Sequence, residues 1–326
     1  MTDLRDVDAG ASNALAGAPT LPRSADGAPV LVARNAKRFG FGSFGPLVVL
    51  VSIIGLWYAT HYLVIDEGRR FILPLPHVIL NRGFIEGVTF GGLLDVGQKM
   101  LSDLVPFAEF EPDADRDVVL IDGLLGLWMT VKVSFVGLML AAFFAVVGAM
   151  VMSQSRMVEK AFFPYLVIIQ AVPVLAIVPL IGVVFGFGFS SQVIVCVIIS
   201  FFPIAANTLF GLKSAERGLQ DLFALHNASR WTRMRKLQIP AALPAFFTSM
   251  RIAAGLSVIG AIVGGYFFAR GEKGLGSLLK AYASRPSDTP ELFATVFLSS
   301  MLGIIVFLFF GWLGNRFIGK WSDQTV

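Results

Sequence analysis

The sequence predicts an all-α membrane protein with about six transmembrane helices. Three observations carry that expectation. The 326-residue chain is 56% hydrophobic and 15% charged, and its mean hydropathy of +0.74 lies beyond that of a soluble domain. Several apolar runs reach the roughly 20 residues a helix needs to cross a bilayer. The interruption of those runs is itself ordered: Gln220 to Arg251, QDLFALHNASRWTRMRKLQIPAALPAFFTSMR, is polar and basic where the rest is mostly membrane.

In chain order, residues 1–45 are rich in Ala, Gly, Pro and Asp and read as a disordered cytoplasmic tail. They show no hydrophobic stretch followed by a cleavage site, as a signal peptide would. Arg34, Lys37 and Arg38 hold this end inside. The first transmembrane helix is expected at 46–64. Residues 65–123 form an extracytoplasmic segment with Leu73-Pro74-Leu75-Pro76, short amphipathic helices (one around Leu93 to Leu104) and an acidic end of Glu109, Glu111, Asp113, Asp115 and Asp117. That acidic run lacks the glycine-centred loop a Ca²⁺ site demands and reads as a solvated loop.

The core, 124–316, begins with a second span at about 124–152, its inner end marked by Arg156 and Lys160. A third, about 161–184, is broken by Pro164, Pro173 and Pro179. Backbone groups freed by proline need partners, so this span is expected to line a cavity or an interface. The fourth, about 192–212, leads back to a cytoplasmic connector at 213–244. The fifth, about 247–268, carries Gly260 and Gly264 with Ala261 and Gly265 beside them, a small-residue stripe suited to close helix packing or to a gate. An external loop follows to Asp288, then a sixth span at about 292–313. Arg316 and Lys320 keep the 317–326 tail in the cytoplasm.

The connector has internal structure. Leu219, Leu222, Phe223 and His226 recur at helical spacing and share one face. Asn227 signals a turn, and Arg230, Arg233, Arg235 and Lys236 follow it. Pro240 and Pro244 are expected to break the chain before the fifth span. A linker that merely joined two membrane helices would need no apolar face. Such a face asks for a protein groove.

Catalytic chemistry finds no support. Gly314 to Lys320 matches the opening of a phosphate loop, but Trp321 stands where Ser or Thr is required and no strand precedes it. Cys196 is the single cysteine, and His61, His77 and His226 are scattered, so neither a disulfide framework nor a metal site is expected. Asp and Glu are absent from the six spans, which argues against a proton-coupled carrier. Lys132, Gln170, Gln192, Asn207, Ser257 and Tyr266 lie within or at the ends of spans. Two readings stand for each, the wall of a translocation path or a hydrogen bond between helices. Gln170, Asn207, Ser257 and Tyr266 are the candidates for a path. Lys132 and Arg251 are expected to snorkel toward an interface.

The connector resembles the cytoplasmic loop of ABC-importer permeases, whose pattern is E-A-A, three residues, G, nine residues, I-x-L-P. Asp221-Leu222-Phe223 takes the E-A-A place, Asn227 the glycine place, and Leu237-Gln238-Ile239-Pro240 the last. Ala241 to Pro244 (A-A-L-P) and Met250-Arg251 are similar to the nitrate/sulfonate/taurine-type branch, which includes transporters of vitamin precursors. The likeness extends to Leu73–Pro76, to Pro164 with Val172-Pro173 and Val178-Pro179, to Phe201-Phe202-Pro203 with Asn207 and Gly211-Leu212, and to Gly271–Gly276. It covers about 46–316. Asn227 departs from glycine but tolerates the same positive φ. Phe223 is larger than the usual alanine, Gly265-Tyr266 stands where an acidic residue is common, and the interval from Pro76 to Thr130 is long.

The resemblance implies a type I ABC-importer permease architecture that works as a dimer and does no chemistry of its own. The implied partners are a second copy of the chain, two ABC ATPase subunits, an extracytoplasmic solute-binding protein and the lipid bilayer, with no nucleic acid. No cofactor is bound by this chain; ATP and Mg belong to the partner ATPase. Leu219, Asp221, Leu222, Phe223, His226, Asn227, Ala228, Arg230, Arg233 and Pro240 are the implied coupling residues. The substrate class stays open between a sulfonate, nitrate or taurine-like anion and a vitamin precursor. An ATP-independent channel or secondary carrier, with the connector lying on anionic lipid, is the rival reading.

Overall fold

The structure, a computed structural model, describes residues 45–85, 96–97, 100–101, 119–268 and 273–318. All but the last residue of the expected tail at 1–45, most of the helix around 93–104, the whole acidic run and the end of the chain lie outside the described residues. Among those described, every regular element is helical. The chain divides into two units, 1–56 and 57–326. Helix α1 (Gly45–Ala59) crosses that boundary and exposes Leu47, Val49, Val51 and Leu56, as a helix apolar all round does in lipid.

In the second unit, Thr60–Val64 forms a π-helical turn and Glu67–Ile72 a 3₁₀ turn. Short α2 (Pro76–Leu80) runs into another π turn at Asn81–Ile85. This stretch is tied down by polar bonds. Trp57 Nε1 donates to the Pro74 carbonyl at 3.1 Å, and His61 Nδ1 lies 2.7 Å from the Leu73 carbonyl. The remaining helices are α3 (Val119–Ser153), α4 (Arg156–Ala171), α5 (Val174–Phe185), α6 (Phe189–Lys213), α7 (Arg217–Leu225), α8 (Arg230–Arg233), α9 (Ile239–Phe267), α10 (Leu275–Ala283) and α11 (Thr289–Ile318). Among the described residues, five helices are long and apolar enough to cross a membrane, or six if α4 and α5 count as one bent span.

Four expectations change here. The third span is a pair, α4 and α5, meeting at 97°. The break falls at Pro173, which has no amide to continue the ladder of α4. Pro240 and Pro244 do not interrupt the fifth span. The Ile239 amide instead reaches back five residues to the Met234 carbonyl, and this π turn (Met234–Gln238) lets one continuous helical path run from Arg230 to Phe267 around the missing Pro240 donor. The external loop after the fifth span contains a real helix, α10, amphipathic and packed against α9 and α11. The last helix begins earlier than its apolar run, so Glu291 falls within its first turn.

The core lies where α3, α6 and α9 meet, and it is built from small residues. Gly211 faces α9 so closely that a Cβ there would stand 2.9 Å from Ala242 Cα. Gly260 and Gly264 face α6, where a Cβ would meet Cys196 Cα at 3.0 Å and Gln192 Cα at 3.1 Å. The stripe read from the sequence is therefore a packing seam. Buried hydroxyls lock it: Ser200 Oγ donates to the Ala253 carbonyl at 3.2 Å, and Thr130 Oγ1 accepts from the Leu275 amide at 3.0 Å. Without a hydrophobic drive between helices in lipid, close approach and such bonds are what hold them.

Gly211→Ala is expected to lower the thermal midpoint by a few degrees, because overpacking against backbone costs about 1–3 kcal/mol. Gly148→Ala, where a Cβ meets nothing within 4 Å, is expected to leave it unchanged. A thiol-reactive fluorophore reads this directly, since Cys196 is fully buried until the bundle opens.

Candidate functional site

The connector folds into a defined elbow. Helix α7 starts just after Ala215, which is buried, and Gln220 Nε2 donates to the Ala215 carbonyl at 2.7 Å, fixing its first turn. Along α7, Leu219 and Leu222 share a face and are 43% and 48% exposed, so the helix presents apolar surface that nothing among the described residues covers. Phe223 is half-buried beside them; Asp221 and His226 are exposed. His226 Nδ1 lies 3.0 Å from the Leu222 carbonyl, so its ring folds back on its own helix.

The end of α7 is closed by backbone geometry. Ala228 N donates to the Phe223 carbonyl and Asn227 N to the Ala224 carbonyl, each at 3.0 Å. These paired bonds form a Schellman motif, which requires a left-handed residue between them. That residue is Asn227, with φ of 48°, the one non-glycine with positive φ among the described residues. Ser229 then caps α8, its Oγ accepting from the Thr232 amide at 3.2 Å. Met234 and Leu237 are buried and pin the next turn to the bundle. Arg230 is exposed, while Arg233 and Pro240 are half-buried.

An ion pair braces the elbow at its base. Lys213, the last residue of α6, pairs with Glu159 in the first turn of α4. Sequence reading missed this pair because the two residues lie 54 positions apart. It also missed Leu225 and Trp231, exposed at 80% and 64%. Both fall off the helical face counted from Leu219, and only the turn at Asn227 brings α8 beside the end of α7.

The candidates for a path are scattered. Gln170 is exposed near the end of α4. Asn207 is half-buried, and its Nδ2 donates to the Pro203 carbonyl of its own helix at 2.8 Å. Tyr266 is 39% exposed, with the Lys280 ammonium 6.0 Å above its ring. Ser257 is fully buried. Its Oγ donates to the Ser134 carbonyl at 2.7 Å, and its own carbonyl lies 3.4 Å from Cys196 Sγ. It ties α3, α6 and α9 together. The Arg251 guanidinium lies over the Phe307 ring of α11.

Known proteins bear on this arrangement. The family model described as binding-protein-dependent transport system inner membrane component matches residues 135–319. The formylaminopyrimidine transport permease protein ThiX of Halalkalibacterium halodurans is 37% identical over 178 residues, 55% of this chain and 70% of that protein. The riboflavin transport system permease protein RibX of Chloroflexus aurantiacus is 35% identical over 167 residues, 51% of this chain and 61% of its own. In fold, the chain is similar to one from the MetNI methionine ABC transporter in an inward-facing conformation, with a TM-score of 0.52, 18% identity, and coverage of 65% of this chain and 100% of that one. The elbow, the helical bundle and the matched stretch that holds both identify this chain as a member of the binding-protein-dependent transport system inner membrane component family, the membrane-spanning permeases of ABC importers.

Proposed function

We propose that this chain is one half of the transmembrane pathway of an ATP-driven importer and converts closure of separate ATPase subunits into alternating access. The observation that carries the reading is the apolar face of α7, exposed at Leu219 and Leu222 and held at a fixed angle by the turn at Asn227. An amphipathic helix presenting such a face fits an apolar groove on a partner. Arg230 and Arg233 supply polar contacts at its rim. ATP and Mg sit on that partner, and this chain holds neither.

Movement imposed on α7 passes through Ser229 and the π turn into α9 without an intervening loop. Helix α6 closes the other side of the elbow through Lys213 and Glu159. Both ends of the elbow therefore belong to the same packed pair of helices, so the partner moves that pair as a unit. A second copy of the chain completes the pathway, each copy docks one ATPase, and an external binding protein delivers the solute. The elbow and both termini face the cytoplasm, as the cationic residues around them favour.

The solute class that fits best is a neutral heteroaromatic vitamin precursor. The names of ThiX and RibX, a formylaminopyrimidine and a riboflavin permease, support it. So does the apolar character of the spans, which offer an anion few cationic groups.

Phe223→Asp is expected to reduce ATP-driven uptake in reconstituted vesicles by more than about tenfold, since an unpaired carboxylate in an apolar groove costs several kcal/mol. Membrane insertion, read from the fraction recovered with the bilayer, is expected to stay at the wild-type level; unimpaired uptake would remove α7 from the docking role. Asn227→Gly is expected to transport normally, because glycine takes the left-handed conformation without strain. Asn227→Val is expected to transport markedly less, and equal uptake by both variants would show that the turn carries no force.

A further inference from the structure

Arg251 is the only charged residue of α9 and lies about 18 Å along it from Ile239, at 1.5 Å per residue. Its guanidinium carbon sits 4.0 Å from the centre of the Phe307 ring. The glycine at 311 makes that position available, since a Cβ there would stand 3.0 Å from Arg251 Nε. Nε is buried without a hydrogen-bond partner. A ring face attracts the charge but leaves the N–H donors of the fork without an acceptor.

The neighbouring helices offer no carboxylate at this level. Helix α6 has none, and α3 and α11 carry theirs at the external end, as Asp122 and Glu291. Glu291 lies about 30 Å along α11 from Gly311 and is already paired with Arg82 at 3.2 Å. Among the described residues, then, none supplies an acceptor to Arg251 Nε.

A groove of about 590 Å³ lies between α9 and α11, and it adjoins Arg251 through Phe307, the ring under the guanidinium. Ile252 and Phe307 wall its Arg251 end, Gly255 and Gly303 its middle, and Ile262 its far end. Ser299 and Ser300 also border it, but their hydroxyls bond to the Thr295 and Val296 carbonyls at 2.7 and 2.9 Å. The groove therefore presents an apolar wall. From Ile252 to Ile262 it extends about 15 Å, half the thickness of a hydrocarbon core.

We propose that Arg251 and this groove form a site for one anionic phospholipid, with the phosphate on the guanidinium and one acyl chain between α9 and α11. A cation lacking an acceptor at one end of an apolar channel of single-leaflet length matches that chemistry and no soluble anion. The leaflet, the inner one, follows from the orientation proposed above; the site itself does not depend on it.

The test is lipid retention by the purified full-length chain, read by native mass spectrometry. The probes are dioleoyl phosphatidylglycerol, dioleoylglycerol (the same chains without phosphate) and glycerol 3-phosphate (the phosphate without chains). Wild type is expected to retain phosphatidylglycerol at concentrations about tenfold below dioleoylglycerol, the value of a charge-assisted pair of hydrogen bonds. Arg251→Gln is expected to erase that preference. Gly303→Leu is expected to abolish retention of both lipids, and because a Cβ at Gly303 meets nothing within 4 Å it fills the groove without disturbing the bundle. Retention unchanged in either variant overturns the site. Displacement of phosphatidylglycerol by equimolar glycerol 3-phosphate would overturn it in favour of a soluble anion. Loss of a dimer species in Gly303→Leu with lipid still bound would assign the groove to a second copy. If Arg251→Gln fails to fold, Gly303→Leu decides alone.

Discussion

Between two helices in a bilayer there is no water to expel, so their contact must come from closeness and from hydrogen bonds made across it. In this chain that constraint acts on α6 and α9. Gly211, Gly260 and Gly264 remove the side chains that would hold the two apart, and Ser200, Cys196 and Ser257 link carbonyls and side chains across the gap and on to α3. Each such bond is modest, about 1 kcal/mol or less, but the partners are buried, and leaving one unmade costs more than making it gains. The α3–α6–α9 seam is thus the rigid body of the molecule. The elbow is a loop whose two ends both return to it.

The end of the bundle at which α10 and the start of α11 lie is held by different means. There the chain leaves the spans as short turns, and Trp57 of α1 and His61 of the π turn after it bond to carbonyls of the following segment. Arg82 pairs with Glu291, a carboxylate that is almost fully buried in the first turn of α11. A negative charge is favoured at that end of a helix, and the arginine supplies the counter-charge that its burial requires. Helix α10 completes this side, its glycine at 276 lying directly on the α9 backbone around Ile262 and Tyr266.

The spans could be read from hydropathy because a membrane imposes length and composition on every helix that crosses it. The bend at Asn227 could be read as well, since few residue types accept its backbone angles. Other features were hidden for stated reasons. Pro240 reads as a breaker in any local window, and only the bond from Ile239 to Met234 shows how the helix passes it. Helix α10 is short and has a glycine at its second position, so its sequence resembles a turn until its packing on α9 and α11 is seen. Glu291 escaped notice as it lies one residue outside an apolar run, although helices seldom end where hydropathy does. The surroundings of Ser257 and Arg251 could not be read from the sequence. A polar residue in an apolar stretch has the same appearance whether it faces a pore, a neighbouring helix or a lipid.

The π turn at Met234–Gln238 has a consequence for the phase of the machine. Each residue of a helix advances its direction by about 100°, so the wide turn sets the azimuth at which Trp231 and α7 leave the axis of α9. Removing one residue there would restore an ordinary ladder and swing the whole elbow about a quarter-turn around the bundle. The spacing between Asn227 and Pro240 is therefore a dial setting. Chains that share these residues but differ in that count would present their elbows on another compass bearing.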